Sequence, residues 1–245
     1  MMGFSEPIRA IIIGARGGLG AAFVRAIHED HPDNRVWATT RSGEGAPKEA
    51  NRTLSLDITD ETSIEALVHA ANTAEYGPNL VLNCTGLLHT PDFGPERSWR
   101  HLNLNTMRTV FEVNAFGVGL LGKHLIPLLP RRGRTVFGSL SARVGSIGDN
   151  RLGGWHSYRA SKAAQNMLIK GLAIEASMRW KDLICVALHP GTVATELSDP
   201  FSARVPPDKL FTPDQSCAYL CATIASLTPA ATGGFFAWDG QTIDY

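Results

Sequence analysis

The segment Gly14-Ala15-Arg16-Gly17-Gly18-Leu19-Gly20 joins an apolar run, residues 8–13, to an amphipathic stretch, Gly18–Asp30, and it limits the fold more than any other feature. The apolar run reads as a buried strand, and the stretch as a helix that must end near Pro32, which cannot continue it. A phosphate comes close to such a strand-to-helix turn only where side chains are missing, and the first helical amides and the helix dipole then favour the anion. Gly14, Gly18 and Gly20 supply the missing side chains, so a phosphate-bearing dinucleotide is the predicted ligand of the turn.

The rest of the chain alternates strand and helix. Residues 36–40 and 53–56 read as the second and third strands, and Thr59 or Asp60 then caps a helix running to about residue 74. A fourth strand is expected over 80–83, and a long helix over 106–129, where Pro127 already marks a fraying end and Pro130 a stop. Strands at 135–139 and 184–188 flank a helix over 157–178, and a last helix, 213–226, precedes a short strand, 235–238. Seven strands separated by helices predict an α/β, doubly wound, mostly parallel Rossmann sheet with helices on both faces, built as a single domain over residues 1–245. Residues 197–211, with three prolines, form the most irregular stretch.

Charge and composition exclude several classes of partner. Lys plus Arg and Asp plus Glu are both 23, so no net field draws the chain to nucleic acid or an anionic membrane, and a small molecule is the expected partner. The apolar run at 8–14 is too short to cross a bilayer and no later stretch reaches that length, which predicts a cytoplasmic protein. The four cysteines, at 84, 185, 217 and 221, lack metal-ligand spacing and read as reduced core residues; Cys217 and Cys221 share a helical face without further ligands, and no metal is expected.

Far downstream, Ser157-Tyr158-Arg159-Ala160-Ser161-Lys162 sets a phenol and an ammonium four residues apart on one helical face. An ammonium beside a phenol favours phenolate, which makes Tyr158 a candidate proton donor and Lys162 its partner. The pair alone is common; a dinucleotide turn upstream raises its weight as a proton-transfer pair.

Gly14-x-x-x-Gly18-x-Gly20, Asn83-x-x-Gly86, Asn114 within Val113-Asn114-Ala115-Phe116-Gly117, Tyr158-x-x-x-Lys162 and Pro190-Gly191 resemble, in order and spacing, the motifs of the short-chain dehydrogenases/reductases. The residues 146–155 and the Trp238-Asp239-Gly240 ending resemble the C-factor and Sniffer-like carbonyl reductase subgroup. The resemblance implies that Asn83 and Gly86 pass the adenosine ribose, Asp57 with Ile58 meets the adenine, and Pro190, Gly191, Thr192 and Thr195 meet the nicotinamide carboxamide and the phosphates. It implies that Arg16 and Leu19 belong to the phosphate turn, that Lys162 holds the nicotinamide ribose, and that Asn114 bends its helix so that a freed carbonyl holds a water against the lysine.

After the second strand the sequence runs Ala38-Thr39-Thr40-Arg41-Ser42, with no carboxylate for a ribose 2′-hydroxyl. Arg41, with Arg16 as its partner, therefore favours the 2′-phosphate of NADP(H), NAD(H) standing as the alternative. The serine is less settled: the residue thirteen before Tyr158 is Gly145, so an insertion around 149–154 is required, and register on Arg143-Val144-Gly145 puts Ala142 at the usual hydroxyl position. Ser141 is the candidate taken, with Ser139 and Ser146 as alternatives. The expected reaction is NADP(H)-dependent interconversion of a small carbonyl and its alcohol, Tyr158 acting as general acid/base and Ser141 bonding the substrate oxygen. Leu87, Leu88, Phe93, Trp155, His156, Leu197, Phe201 and Phe211 are candidates for an apolar pocket, and Arg143 for an acidic substrate group. A regulatory NADP(H)-binding protein with little turnover is the other function class. Family members pair through the two long middle helices, which implies a homodimer or homotetramer.

Overall fold

The computed structural model describes residues 2–203 and 205–245. Seven strands, β1 (Arg9–Ile13), β2 (Arg35–Thr40), β3 (Arg52–Ser55), β4 (Leu80–Asn83), β5 (Thr135–Leu140), β6 (Leu183–His189) and β7 (Phe235–Ala237), form one parallel sheet. The spatial order is β3-β2-β1-β4-β5-β6-β7, so the direction of winding reverses between β1 and β4 and leaves a crevice beyond their carboxyl ends.

Side-chain alternation along each strand builds two cores. Ala10, Ile12, Leu80, Leu82, Val136, Ile184 and Val186 pack on one face against α1 (Gly18–Asp30), whose Phe23, Val24 and Ile27 are fully buried. Ile11, Ile13, Val81, Phe137 and Cys185 point to the other face, against Ile64 and Leu67 of α2 (Glu61–Thr73). Strands lined on both sides in this way carry the near-continuous apolar runs visible in the sequence. The Asp60 carboxylate caps α2 by accepting from the Thr62 amide at 3.0 Å.

The long middle helix departs from the expectation. It starts at α3 (Leu104–Phe111), where the Asn103 side chain accepts from the amides of Asn105 and Thr106. It then makes a π turn over Glu112–Phe116 and resumes as α4 (Gly117–Leu125). A 3₁₀ turn at Ile126–Leu128, with Pro127 inside it, ends the run. α5 (His156–Ala176) carries the tyrosine pair and packs beside α4. The stretch 197–211 is more ordered than expected: it holds α6 (Asp199–Ser202), and Leu210–Phe211 pairs in parallel with Thr192–Val193. Arg204 of that stretch lies outside the described residues. α7 (Pro213–Ser226) opens with a full capping box between Thr212 and Gln215, and Cys217 and Cys221 lie 3.9 Å apart on its buried face. All four cysteines are free thiols, and no helix among the described residues is long and apolar enough to cross a membrane. The final strand stops at Ala237, so Trp238 lies beyond it.

Candidate active site

At the end of β1 the backbone turns left-handed at Gly14 (φ +81°) and again at Gly18 (φ +54°). A methyl on Gly20 would land on the Gly14 carbonyl, so the helix approaches the strand as closely as a bare backbone allows. Leu19 is buried and anchors the helix start, whereas Arg16 is exposed. Gly17 caps α1 without a side chain, nothing lies within 4 Å of its missing Cβ, and the first turn carries no acid. The open amides of that turn fit a dinucleotide phosphate.

The adjoining residues extend the cradle along the carboxyl edge. Arg41 leaves β2 with its side chain 77% exposed and its Nε 3.8 Å from Asp57 Oδ2. Asp57 accepts from the Thr59 hydroxyl at 2.7 Å and the Thr59 amide at 2.9 Å, and these bonds, aided by Arg41, hold its carboxyl below the usual range. Ile58 beside it is buried, its carbonyl against Gly117. Asn83, fully buried, accepts from the amide and hydroxyl of Thr85, fixing the bend toward Gly86. On the far side Pro190 is tied by its carbonyl to the Ser216 hydroxyl at 2.7 Å, and Gly191 (φ +78°) is hemmed in by Phe211 and Trp238. Thr192 begins the small parallel pair, and Thr195 reaches back until its methyl meets the space a Gly18 side chain would take.

Tyr158 and Lys162 sit on one face of α5, with the ammonium nitrogen 5.9 Å from the phenol ring centre. Lys162 Nζ donates to the Leu140 carbonyl at 3.0 Å and to Gln165 Oε1 at 2.8 Å. Gln165 Nε2 in turn donates to Ser139 Oγ, which also receives Asn83 Nδ2, each at 3.0 Å. A buried polar chain thus links the ends of β4 and β5 to the lysine. Gly145 lies against it, since a Cβ there would meet the Lys162 Cβ at 2.8 Å. Asn114 stands in the π turn and grips Leu87 twice, accepting from its amide and donating to its carbonyl, both at 2.8 Å. It also donates to Ser161 Oγ, which donates to the Tyr158 carbonyl at 2.8 Å. The spare residue of a π turn widens the helix locally at Asn114.

Burial, rather than the lysine, governs the proton affinities of the protein alone. It pushes the Tyr158 phenol up and brings Lys162 down from 10.5 to about 7. The direction at Tyr158 is opposite to the one expected from the spacing, because at 5.9 Å and bonded elsewhere the ammonium does not offset lost hydration.

All three candidate serine hydroxyls are engaged. Ser141 is buried and donates to Asn166 Oδ1 at 2.7 Å, Ser139 belongs to the Gln165 chain, and Ser146 accepts from the Asp149 amide at 3.1 Å. Of the apolar candidates, Trp155 stands edge-on to Tyr158 (6.2 Å) and to Phe201 (5.1 Å), and Phe201 meets His89 at 5.7 Å. Phe211 joins Trp238 and Tyr219 instead, and His156 lines a depression with Ser146, Ile147 and Arg159. Arg143 is ion-paired with Asp149 at 2.6 Å, both side chains being partly exposed. Sequence reasoning missed Gln165, Asn166 and Ser161, although Ser161 lies three residues after Tyr158 and Gln165 and Asn166 lie three and four after Lys162, spacings that put polar side chains beside the tyrosine pair on a helix face.

Residues 9–205 match the family model described as short chain dehydrogenase. A 1-hydroxy-2-glutathionyl-2-methyl-3-butene dehydrogenase of Rhodococcus sp. (strain AD45) is 30% identical over 237 residues, covering 96% of this chain and 98% of the relative. Among solved structures, the carbonyl reductase Sniffer of D. melanogaster superposes with a TM-score of 0.83 at 23% identity, covering 98% of this chain and all of that one. A Burkholderia multivorans short-chain dehydrogenase/reductase with bound NADP gives 0.79 at 25% identity, again over 98% and 100%.

Proposed function

The chain belongs to the short chain dehydrogenase family of oxidoreductases, and from that premise we propose that it moves hydride between NADP(H) and a small carbonyl or alcohol substrate, with Tyr158 as the proton-transfer group. The observation that carries this reading is the convergence of an uncapped glycine turn with the Asn114, Tyr158 and Lys162 group around the β1/β4 crevice. When bound, the dinucleotide supplies or accepts the hydride. Gly14, Gly18, Leu19 and Gly20 hold its pyrophosphate, Asn83 and Gly86 the adenosine ribose, and Asp57 with Ile58 the adenine. Pro190, Gly191, Thr192 and Thr195 orient the carboxamide end, and Lys162 the neighbouring ribose. Tyr158 donates a proton to the substrate oxygen in reduction and accepts it in oxidation, and Ser141 is the hydroxyl assigned to bond that oxygen.

NADPH consumption across a panel of aliphatic and aromatic aldehydes and ketones tests the activity directly; no consumption with any of them sinks it. The same assay decides a second reading, a regulatory NADP(H) binder, which the engagement of Ser141 by Asn166 favours. Ser141→Ala is expected to lower kcat by roughly 10²-fold, the scale of a lost oxyanion donor. Near-normal turnover in Ser141→Ala removes the hydroxyl from the reaction.

Arg41, exposed beside Asp57 with Arg16 on the adjoining turn, supports NADP(H) over NAD(H). Arg41→Ala is expected to weaken NADPH binding about 10- to 100-fold, the loss of charge-assisted bonds, while NADH binding changes little. Fluorescence titration with both cofactors measures this, and equal losses refute it. The exposed apolar residues Phe116, Met167, Ile174 and Met178 on or beside α4 and α5 support pairing of two copies through those helices.

A further inference from the structure

The polypeptide enters α5 through three consecutive left-handed residues, Gly153 (φ +62°), Gly154 (φ +65°) and Trp155 (φ +51°). Trp155 is the N-cap, yet its side chain makes no capping bond, and a bulky residue rarely adopts this conformation without support. The support comes from a distant segment. Glu96, in the loop that follows β4, is only 5% exposed. Its backbone carbonyl accepts from the Trp155 amide at 2.6 Å, and its carboxylate accepts from the Ser157 amide at 3.1 Å and from the Ser157 hydroxyl. A buried carboxylate needs such donors, and the first amides of a helix, at the positive end of its dipole, are the favoured ones.

We propose that Glu96 is a positioning residue: a remote cap that clasps the post-β4 loop to the head of α5, fixing the backbone on which Tyr158 sits and the left-handed turn that holds Trp155 edge-on to it. Its three bonds fall on Trp155 and Ser157, the residues immediately before Tyr158 apart from His156. Tyr158 is therefore gripped from two sides, by Glu96 ahead of it and by Ser161 and Asn114 behind. Without the carboxylate the first turn of α5 loses its cap at Ser157, although the Glu96 backbone carbonyl keeps its bond to the Trp155 amide, and the phenol no longer meets the substrate oxygen in one orientation.

The inference rests on Tyr158 acting as proposed, and the test separates the two. Wild type, Glu96→Ala, Glu96→Gln and Glu96→Asp are compared for NADPH affinity, for kcat with NADPH and 4-nitrobenzaldehyde, and for hydrogen exchange over residues 155–160. In Glu96→Ala, kcat is expected to fall at least tenfold and exchange to quicken at least tenfold, with NADPH affinity within twofold of wild type. Glu96→Gln, which keeps the reach and one acceptor, should recover both to within about threefold; Glu96→Asp, charged but a methylene short, should not. The clasp is overturned if Glu96→Ala keeps kcat within twofold, if kcat and NADPH affinity fall in the same proportion, or if Asp rescues better than Gln. Should Glu96→Ala fail to fold, Ser157→Ala decides, with a three- to fivefold drop in kcat at unchanged NADPH affinity expected and an unchanged kcat contrary. Absence of turnover in wild type would sink the oxidoreductase reading and leave the clasp to be judged by exchange alone.

Discussion

Tyr158→Phe is expected to lower kcat by about 10²- to 10⁴-fold, the range spanned by a lost general acid, while NADPH binds within a few-fold of wild type. Phenylalanine keeps the ring that meets Trp155 edge-on at 6.2 Å, so the wall of the site survives and only the transferable proton is lost. Such a variant loses kcat and kcat/KM together, the pattern of an interaction made in the transition state. Steady-state kinetics beside a cofactor titration measures both quantities. Turnover at the wild-type rate would remove Tyr158 from the chemistry, whereas a parallel loss of NADPH affinity would point to a damaged fold.

Lys162→Met is the second large effect, and it is read in two ways. Turnover is expected to fall by at least about 10²-fold, because the cation assigned to orient the nicotinamide ribose beside Tyr158 is gone. The other readout is folding stability against pH. The unfolded chain keeps the lysine proton up to its ordinary value near 10.5, whereas burial makes the folded chain release it at about 7. Between those values the unfolded state binds more protons, so this group adds stability as pH rises; below the window the buried charge costs its full amount. Methionine cannot titrate. The stability of wild type minus that of Lys162→Met should therefore rise from pH 7 toward pH 10 and be level below the window, as urea unfolding at several pH values measures. A difference independent of pH contradicts the assigned shift.

Much of the framework is legible before folding because it depends on short-range patterns. The apolar runs at β1, β4 and β6 are buried on both faces, and Pro32 marks where α1 has stopped. What escapes is set by tertiary return. Nothing local to Glu96 says that it caps a helix 61 residues away, and nothing local to Ser139 says that it will receive Asn83 and Gln165 together. The proton affinity of the phenol in the protein alone escapes for the same reason. Spacing brings Lys162 onto the right face, but how deeply the pair is buried, and that the ammonium is spent on Leu140 and Gln165, follows only from packing. The two-residue strands at Thr192–Val193 and Leu210–Phe211 are too brief for any alternation to betray them.

The π turn at Glu112–Phe116 has a consequence for phase. One surplus residue in an α-helix advances everything beyond it by about 100° around the axis. Upstream of the turn the helix offers Val110 to the interior; downstream it offers Val118, Leu121 and Leu125 to the sheet. Removing a single residue here would restore an ordinary helix and rotate one of those two stripes into water. The local widening at Asn114 is thus also the gear that keeps the buried residues on both halves of the helix turned inward.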